Sequence, residues 1–371
     1  MEMPVTPRER VLRLLAGKKP DRVPWFGDLD YYTAGQTVRG ERPEGFTRSD
    51  DYIRWHHDLG VGFYLQGHFP FRTIVNNCTI HERHEGLNRI REIITPEGAL
   101  RESWRRMPES YTEAPVEHLV KSATDLQALA CLYSNTQYEP DYDFAMHRRD
   151  IIGETGILLC YVPKSPFMQL AVLEAGIETT VMAAIEEPGL FSDTLAVMAE
   201  AHGRAARIAI DSPAEALMIP ENLSSEMVGP RFFGEYMREY QETRIGEIAD
   251  AGKFSFIHMD GSLAGLLREE CSTGVTVLEA LTPEPVGDVA VRDFAGYAGN
   301  SDTIFWGGVP GLYFTEHVSD AEFERHVIEV LSIMRSEPRY VLGVADQVPP
   351  DGLERRIRRV GELAEEYGVY E

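Results

Sequence analysis

The segment Phe256-Ile257-His258-Met259-Asp260-Gly261 places an imidazole and a carboxylate two positions apart, where an apolar run gives way to a turn. Past the end of a strand both side chains can turn into one pocket as potential ligands. Other carboxylates close apolar runs in the second half of the chain: Glu221 after Met218-Ile219-Pro220, Glu279 before Ala280-Leu281, and Asp346 in Gly343-Val344-Ala345-Asp346-Gln347. Asp28 and Asp30 end an earlier run, and His68 and Lys164 follow two more. A carboxylate closing a buried strand is costly unless it is paired, hydrogen-bonded or metal-bound. Each residue also admits a structural role. Asp260 can cap a helix starting near Ser262, His258 can bond a neighbouring strand, Glu221 can accept from backbone amides, and Glu279 can serve structure or position a substrate. Asp346 has less to do as a cap, because Pro349, Pro350 and Asp351 already supply the start of the last helix.

Eight short apolar segments would carry these residues: 23–28, 61–66, 157–161, 216–221, 254–258, 275–280, 303–307 and 340–344. Their aromatic and branched residues run together without alternation, as in strands buried on both faces. Helical periods separate most of them, at 167–185 with 191–210, 230–251, 321–335 and 353–367. The last puts Leu353, Ile357, Val360, Leu363 and Tyr367 on one stripe. A first helix is signalled by Thr6, Pro7 and Glu9 ahead of Val11, Leu14 and Leu15. Alternating strand and helix implies a parallel sheet. The expected fold is therefore a single α/β domain over residues 1–371, closed as a (β/α)8 TIM barrel, with a doubly wound sheet as the alternative from pattern alone. Residues 73–107, alternating around Glu85-Gly86 and Pro96-Glu97-Gly98, are expected as β-hairpins inserted after the second strand, over the barrel mouth. Residues 133–149 read as a long polar loop. In such a barrel the chemistry lies beyond the carboxyl ends of the strands, where the acids fall.

Composition narrows the function classes. The chain has 371 residues, with 36 Lys plus Arg against 60 Asp plus Glu, a formal charge of −24. Such an acidic surface repels nucleic acid and anionic lipid. No apolar run reaches the roughly 18 residues of a membrane span, and Met1-Glu2-Met3-Pro4 lacks a signal-peptide pattern, so a cytoplasmic location is expected. Cys78, Cys131, Cys160 and Cys271 are widely spaced, which argues against a disulfide framework or a zinc ribbon. Among weaker signals, His56-His57-Asp58 reads as surface or helix cap and His81 and His84 as solvated. Trp25, Phe69, Phe71, Trp306 and Tyr313 are candidates to wall a pocket or fill the core, and Cys160 reads as a buried thiol.

Together with Thr6-Pro7-Arg8-Glu9-Arg10-Val11-Leu12, Asp21-Arg22-Val23-Pro24 and Val348-Pro349-Pro350, these residues make the chain resemble the uroporphyrinogen decarboxylase superfamily over nearly its whole length. The resemblance implies the (β/α)8 barrel. True decarboxylases of the superfamily carry an Arg-Gln-Ala-Gly-Arg run after the first strand and a Gly-His-Gly near the last. Here those positions read Gly27-Asp28-Leu29-Asp30 and Ala345-Asp346-Gln347. Two aspartates would repel a polycarboxylate tetrapyrrole. A second branch comprises zinc-dependent methyltransferases that move methyl groups to or from a corrinoid, several with His-x-Cys after one strand and a Cys after the last. By that resemblance the ligand positions fall on His258, Asp260 and Asp346, with both thiolates replaced by carboxylates.

The resemblance thus implies a methyltransferase in which a divalent metal, zinc first, sits on His258, Asp260 and Asp346 and activates an oxygen-linked methyl donor or acceptor. Glu221 would be a fourth ligand or support, with Asp28, Asp30 and Glu279 shaping the pocket. The chain has no Asp-x-His-x-x-Gly signature, so cobalamin would come on a separate corrinoid protein. A homodimer is the default for such an enzyme. Two alternatives stay open: a lyase of the decarboxylase type acting on another carboxylic acid, and a non-catalytic barrel that binds a small molecule.

Overall fold

The computed structural model describes residues 5–64 and 67–370. Its first helix, Pro7–Leu15, forms as its signals require: Thr6 accepts the Glu9 N–H at 3.1 Å, and Pro7 occupies the first turn, where no amide partner is needed. Val11, Leu14 and Leu15 face inward and join a core with Phe26, Ile157, Met218, Phe256, Trp306 and Val341. The helix therefore plugs one end of the strand assembly, and the chemistry is left to the other end.

The architecture is α/β. Seven parallel strands form one curled sheet in the order Trp25–Phe26, Tyr340–Ala345, Ile304–Pro310, Val277–Leu281, Phe254–Met259, Ala216–Leu223, Leu159–Tyr161. An eighth strand, Phe63–Tyr64, links its two edges. Phe26 bridges Gly62 in parallel, and Phe63 and Tyr64 pair with Gly156 and Ile157, just ahead of Leu159. Parallel pairing therefore runs round in a ring. Each segment expected as a strand carries one, although Leu65 and Gln66 of the second lie outside the described residues.

Side chains alternate across the ring. Phe26, Tyr64, Ile157, Leu159, Ala216, Met218, Phe256, Val277, Ile304, Trp306 and Val341 fill the interior, while Leu217, Ile219, Ile257, Leu278 and Phe305 pack outward against helices. The longest outer helices are Pro188–Ile210, Asp320–Met334 and Glu354–Tyr367. Two others contain a π-helical turn, Leu170–Glu174 and Phe233–Met237. Among the described residues no helix is long and apolar enough to cross a membrane.

Between the second and third strands of the ring lies antiparallel structure. Thr79–Glu85, Asn88–Thr95, Gly98–Met107 and Thr112–Glu117 form a four-stranded sheet, which runs ten residues past the boundary expected at Met107. Residues 133–149 are not a loop. They hold the end of the helix Leu126–Ser134, a strand Thr136–Pro140 and the start of the helix Asp143–Ile152. Thr136–Pro140 pairs with Phe71–Val75, some sixty residues earlier. Such a strand is fixed by its distant partner, so its local sequence shows no period. His56 also departs from expectation: it is buried in an aromatic cluster with Tyr52, Trp55 and Phe63, where burial lowers its pKa to about 3.

Candidate active site

The alternation that fills the ring also selects what stands at its mouth. His258 is two residues beyond Phe256, Glu279 two beyond Val277, Asp28 two beyond Phe26 and Tyr161 two beyond Leu159, so all four continue the inward face past the last apolar layer. The backbone turns sharply just after one of these positions and again at the end of the last strand. Ala280 has φ +70°, and Asp346, after the last strand, has φ +67°. Left-handed backbone at non-glycine residues is uncommon and persists where its surroundings impose it.

His258 is the centre of the cluster. Its Nδ1 lies 2.7 Å from Glu279 Oε2, and its Nε2 faces Asp346 Oδ1 at 3.8 Å. Glu279 is fully buried and also accepts from the Tyr64 hydroxyl at 2.9 Å. Burial would lower the pKa of the imidazole, but the Glu279 carboxylate, with Asp260 and Asp346 behind it, overrides this and raises it to about 9. Asp28 is buried beside Glu279, and its Oδ1 accepts the Asp30 N–H at 2.9 Å. Burial, then Asp30, then Glu279 and Asp346 push its pKa well above the usual carboxylate range. Asp346 is half-exposed; burial of its carboxyl raises its pKa against the opposing pull of His258.

The remaining candidates are placed differently. Asp30 starts the helix Asp30–Val38 and accepts the Tyr52 hydroxyl at 2.6 Å, one layer behind Asp28. Asp260 influences His258, Asp346 and Lys164 electrostatically, and its N–H is bonded to Leu223 O at 3.1 Å. Glu221 has the opposite parity to Met218 and Pro220 and points away from the mouth. Its carboxylate accepts from Ser165 N at 3.2 Å, Ser165 Oγ at 3.0 Å and Gln241 Nε2 at 3.2 Å, fully buried against the helix layer. The structure therefore joins His258 with Glu279, Asp346 and Asp28, and sets Glu221 apart. Among the described residues, no three His, Cys, Asp or Glu side chains close into a complete metal-holding group. The donor types nonetheless suit a divalent ion. The bond from Nδ1 to a carboxylate fixes the ring and turns Nε2 outward, as in metal sites where a carboxylate orients the ligating histidine.

A cavity of about 510 Å³ opens over the mouth, with His258, Asp346, Gln347, Asn222 and Lys164 at its floor. Lys164 donates to Asn222 Oδ1 at 3.2 Å, and burial lowers its pKa to about 8 despite Glu221 and Asp260. Phe69, Phe71, Tyr138 and Tyr161 wall the cavity, while Trp25 and Trp306 are core. The far wall comes from the antiparallel segment and its neighbours, including Ile80, Arg91, Ile93, Tyr133 and Glu174. Among these far-wall residues, Arg91, Tyr133 and Glu174 carry no sequence signal of a role, since none lies at a strand end of the ring. The inward parity of Tyr64 and Tyr161 was a usable signal.

The family model for uroporphyrinogen decarboxylase (URO-D) matches residues 146–367, more than half of the chain. Among solved structures, a methyltransferase from Methanosarcina mazei superposes with a TM-score of 0.63 over 98% of this chain and 99% of its own, at 14% identity. At that identity the likeness speaks for the fold. No curated protein matches the chain in sequence.

Proposed function

The chain belongs to the uroporphyrinogen decarboxylase (URO-D) family, and from that premise we propose that it is a corrinoid-dependent methyltransferase acting on an oxygen-linked methyl donor or acceptor. The observation that carries this reading is the Glu279–His258 pair, which presents Nε2 toward Asp346 at the floor of the cavity. An imidazole nitrogen between carboxylates, once a binding cation displaces its proton, is the donor chemistry of a divalent-metal site with room for substrate. The fold shared with the Methanosarcina mazei methyltransferase supports the same branch.

In this reading His258, Asp346 and Asp260 would hold the ion, zinc first. When bound it would supply Lewis acidity to the substrate oxygen. Glu279 keeps the His258 ring in the required tautomer, and Tyr64 holds Glu279. Glu221 acts outside the mouth: it fixes Ser165, which caps the helix Pro166–Gln169, and so positions the adjacent Lys164. The aromatic walls exclude water from the reacting oxygen, which strengthens every charge–charge contact at the floor. With two acids and no arginine at the first-strand positions Asp28 and Asp30, nothing there would pair with the carboxylates of a polycarboxylate substrate. The cobalamin would arrive on a separate protein docked at the mouth.

The direct test is spectroscopic. Zinc-loaded protein incubated with methylcobalamin and small alcohols, or with cob(I)alamin and methyl ethers, is expected to interconvert the two visible spectra. If neither spectrum changes with any partner while the metal stays bound, the methyltransferase reading fails.

A further inference from the structure

The cavity has a second polar end that the proposed chemistry does not use. Glu174 closes the π-helical turn Leu170–Glu174 and is buried, yet it lines the cavity, and the groups around it (Gln169, Tyr133, Arg91 and Glu102) are not those around His258 (Glu279, Asp260 and Asp346). Its Oε1 accepts from the Tyr133 hydroxyl at 2.9 Å and from Gln169 Nε2 at 2.8 Å. Gln169 and Glu174 are five residues apart. In a regular α-helix such positions lie about 140° apart round the axis and cannot meet; the wider π turn brings them together, a device that recurs at functional sites.

The nearest cation, Arg91, is shared: against burial, which has the larger effect and raises the Glu174 pKa, it draws that pKa down while also pairing with Glu102. Arg91 Nε lies 2.6 Å from Glu102 Oε1, and Glu102 is buried. His202 offers Nδ1 to the Lys164 carbonyl at 2.9 Å, and burial lowers its pKa to about 4, so it is neutral. Among the described residues both hydrogen bonds to the Glu174 carboxylate end on Oε1, which leaves Oε2 as the acceptor for a ligand. Apart from Thr73 and Thr136, the rest of the cavity wall is mostly apolar or aromatic, with Phe69, Phe71, Ile93, Leu132, Tyr138 and Tyr161. A wall meant only to close the cavity would use an apolar side chain, because a buried carboxylate carries a desolvation cost. About 510 Å³ is ample for a small organic molecule that reaches both ends.

The geometry points to Glu174, oriented by Tyr133 and Gln169, as a recognition subsite for a hydrogen-bond-donating group, hydroxyl or amine, at the end of the substrate remote from its reacting oxygen. The substrate class is then a bipolar molecule with an apolar or ring-bearing body. This rests on the methyltransferase reading for the location of the reacting oxygen, and on the cavity alone for the subsite.

The test is binding, measured by calorimetry on the full-length protein with three probes that differ at one end: 4-methoxybenzyl alcohol, 4-methoxytoluene and 4-methoxybenzoate. Wild-type protein is expected to bind the alcohol about tenfold more tightly than the other two, the difference a hydrogen bond to a carboxylate makes. Glu174→Gln is expected to bring the three within about threefold, and Tyr133→Phe, which keeps the carboxylate, to retain most of the preference. Equal binding of all probes by the wild type, or no binding of any, overturns the subsite. So does a preference that survives in Glu174→Gln. Discrimination at Glu174 without methyl transfer in the cobalamin assay would remove the reaction and leave the subsite standing.

Discussion

Glu279 Oε2 lies 2.7 Å from His258 Nδ1, and this contact decides which ring nitrogen faces the mouth. With Nδ1 held by a buried carboxylate, Nε2 is left to the cavity. Glu279→Gln keeps the shape but removes the charge that orients the ring, and zinc affinity measured by competition with a chromophoric chelator should fall about 10- to 100-fold, the usual cost of losing such a partner. Unchanged affinity with an intact fold would mean that His258 is not a ligand.

Glu221 should behave in the opposite way. Its carboxylate is fully buried on Ser165 and Gln241, away from the mouth. Glu221→Gln exchanges an acceptor for a donor opposite existing donors, which should cost about 1–3 kcal/mol of stability in urea unfolding. Zinc affinity should stay within about twofold of wild type, because no contact to the ion is lost. A large loss of zinc with little loss of stability would restore Glu221 as a ligand.

One seam of the ring depends on a glycine. A Cβ on Gly156 would sit 1.8 Å from the Phe63 carbonyl oxygen, closer than any real contact, and the obstacle is backbone. Gly156→Ala must therefore part Phe63–Tyr64 from Gly156–Ile157. The expected loss is at least about 3 kcal/mol in chemical denaturation, at the severe end for a point substitution. A variant as stable as wild type would show that the strand pairing described here is not what closes the sheet.

The stability should also carry a pH signature from Glu270. This carboxyl is fully buried and accepts from Gln241 at 3.2 Å; burial raises its pKa to about 8 in the folded protein, from 4.5. Between those values the folded state binds the proton and the unfolded state does not, so stability is fully present below pH 4.5 and is lost as pH rises through about 8. Glu270→Gln, neutral at every pH, should lack this component. The Tm of the variant minus that of wild type should therefore grow from pH 5 to pH 9; a flat difference would refute the buried ionisation.

Much of this was legible in the chain itself. Apolar runs located all eight strands of the ring, because each is buried on both faces and written in the same residues. The inward acids could be found by counting alternate positions from those runs, and the same count would have turned Glu221 outward. What stayed hidden depends on distant pairing. Thr136–Pro140 becomes a strand only against Phe71–Val75. Glu174 becomes polar wall only because a π turn aligns it with Gln169. His56 looked like a surface residue beside His57 and Asp58, yet it faces Tyr52 and Phe63 in the core.

The account turns on His258 and Asp346 sharing one cation. Tag-free protein equilibrated with zinc, dialysed and assayed for metal by atomic emission is predicted to hold about one ion per chain. The ion should be absent from His258→Ala and from Asp346→Ala, and kept in Glu221→Gln. Wild-type protein that emerges folded but essentially free of zinc, or both alanine variants retaining a full equivalent, would contradict it.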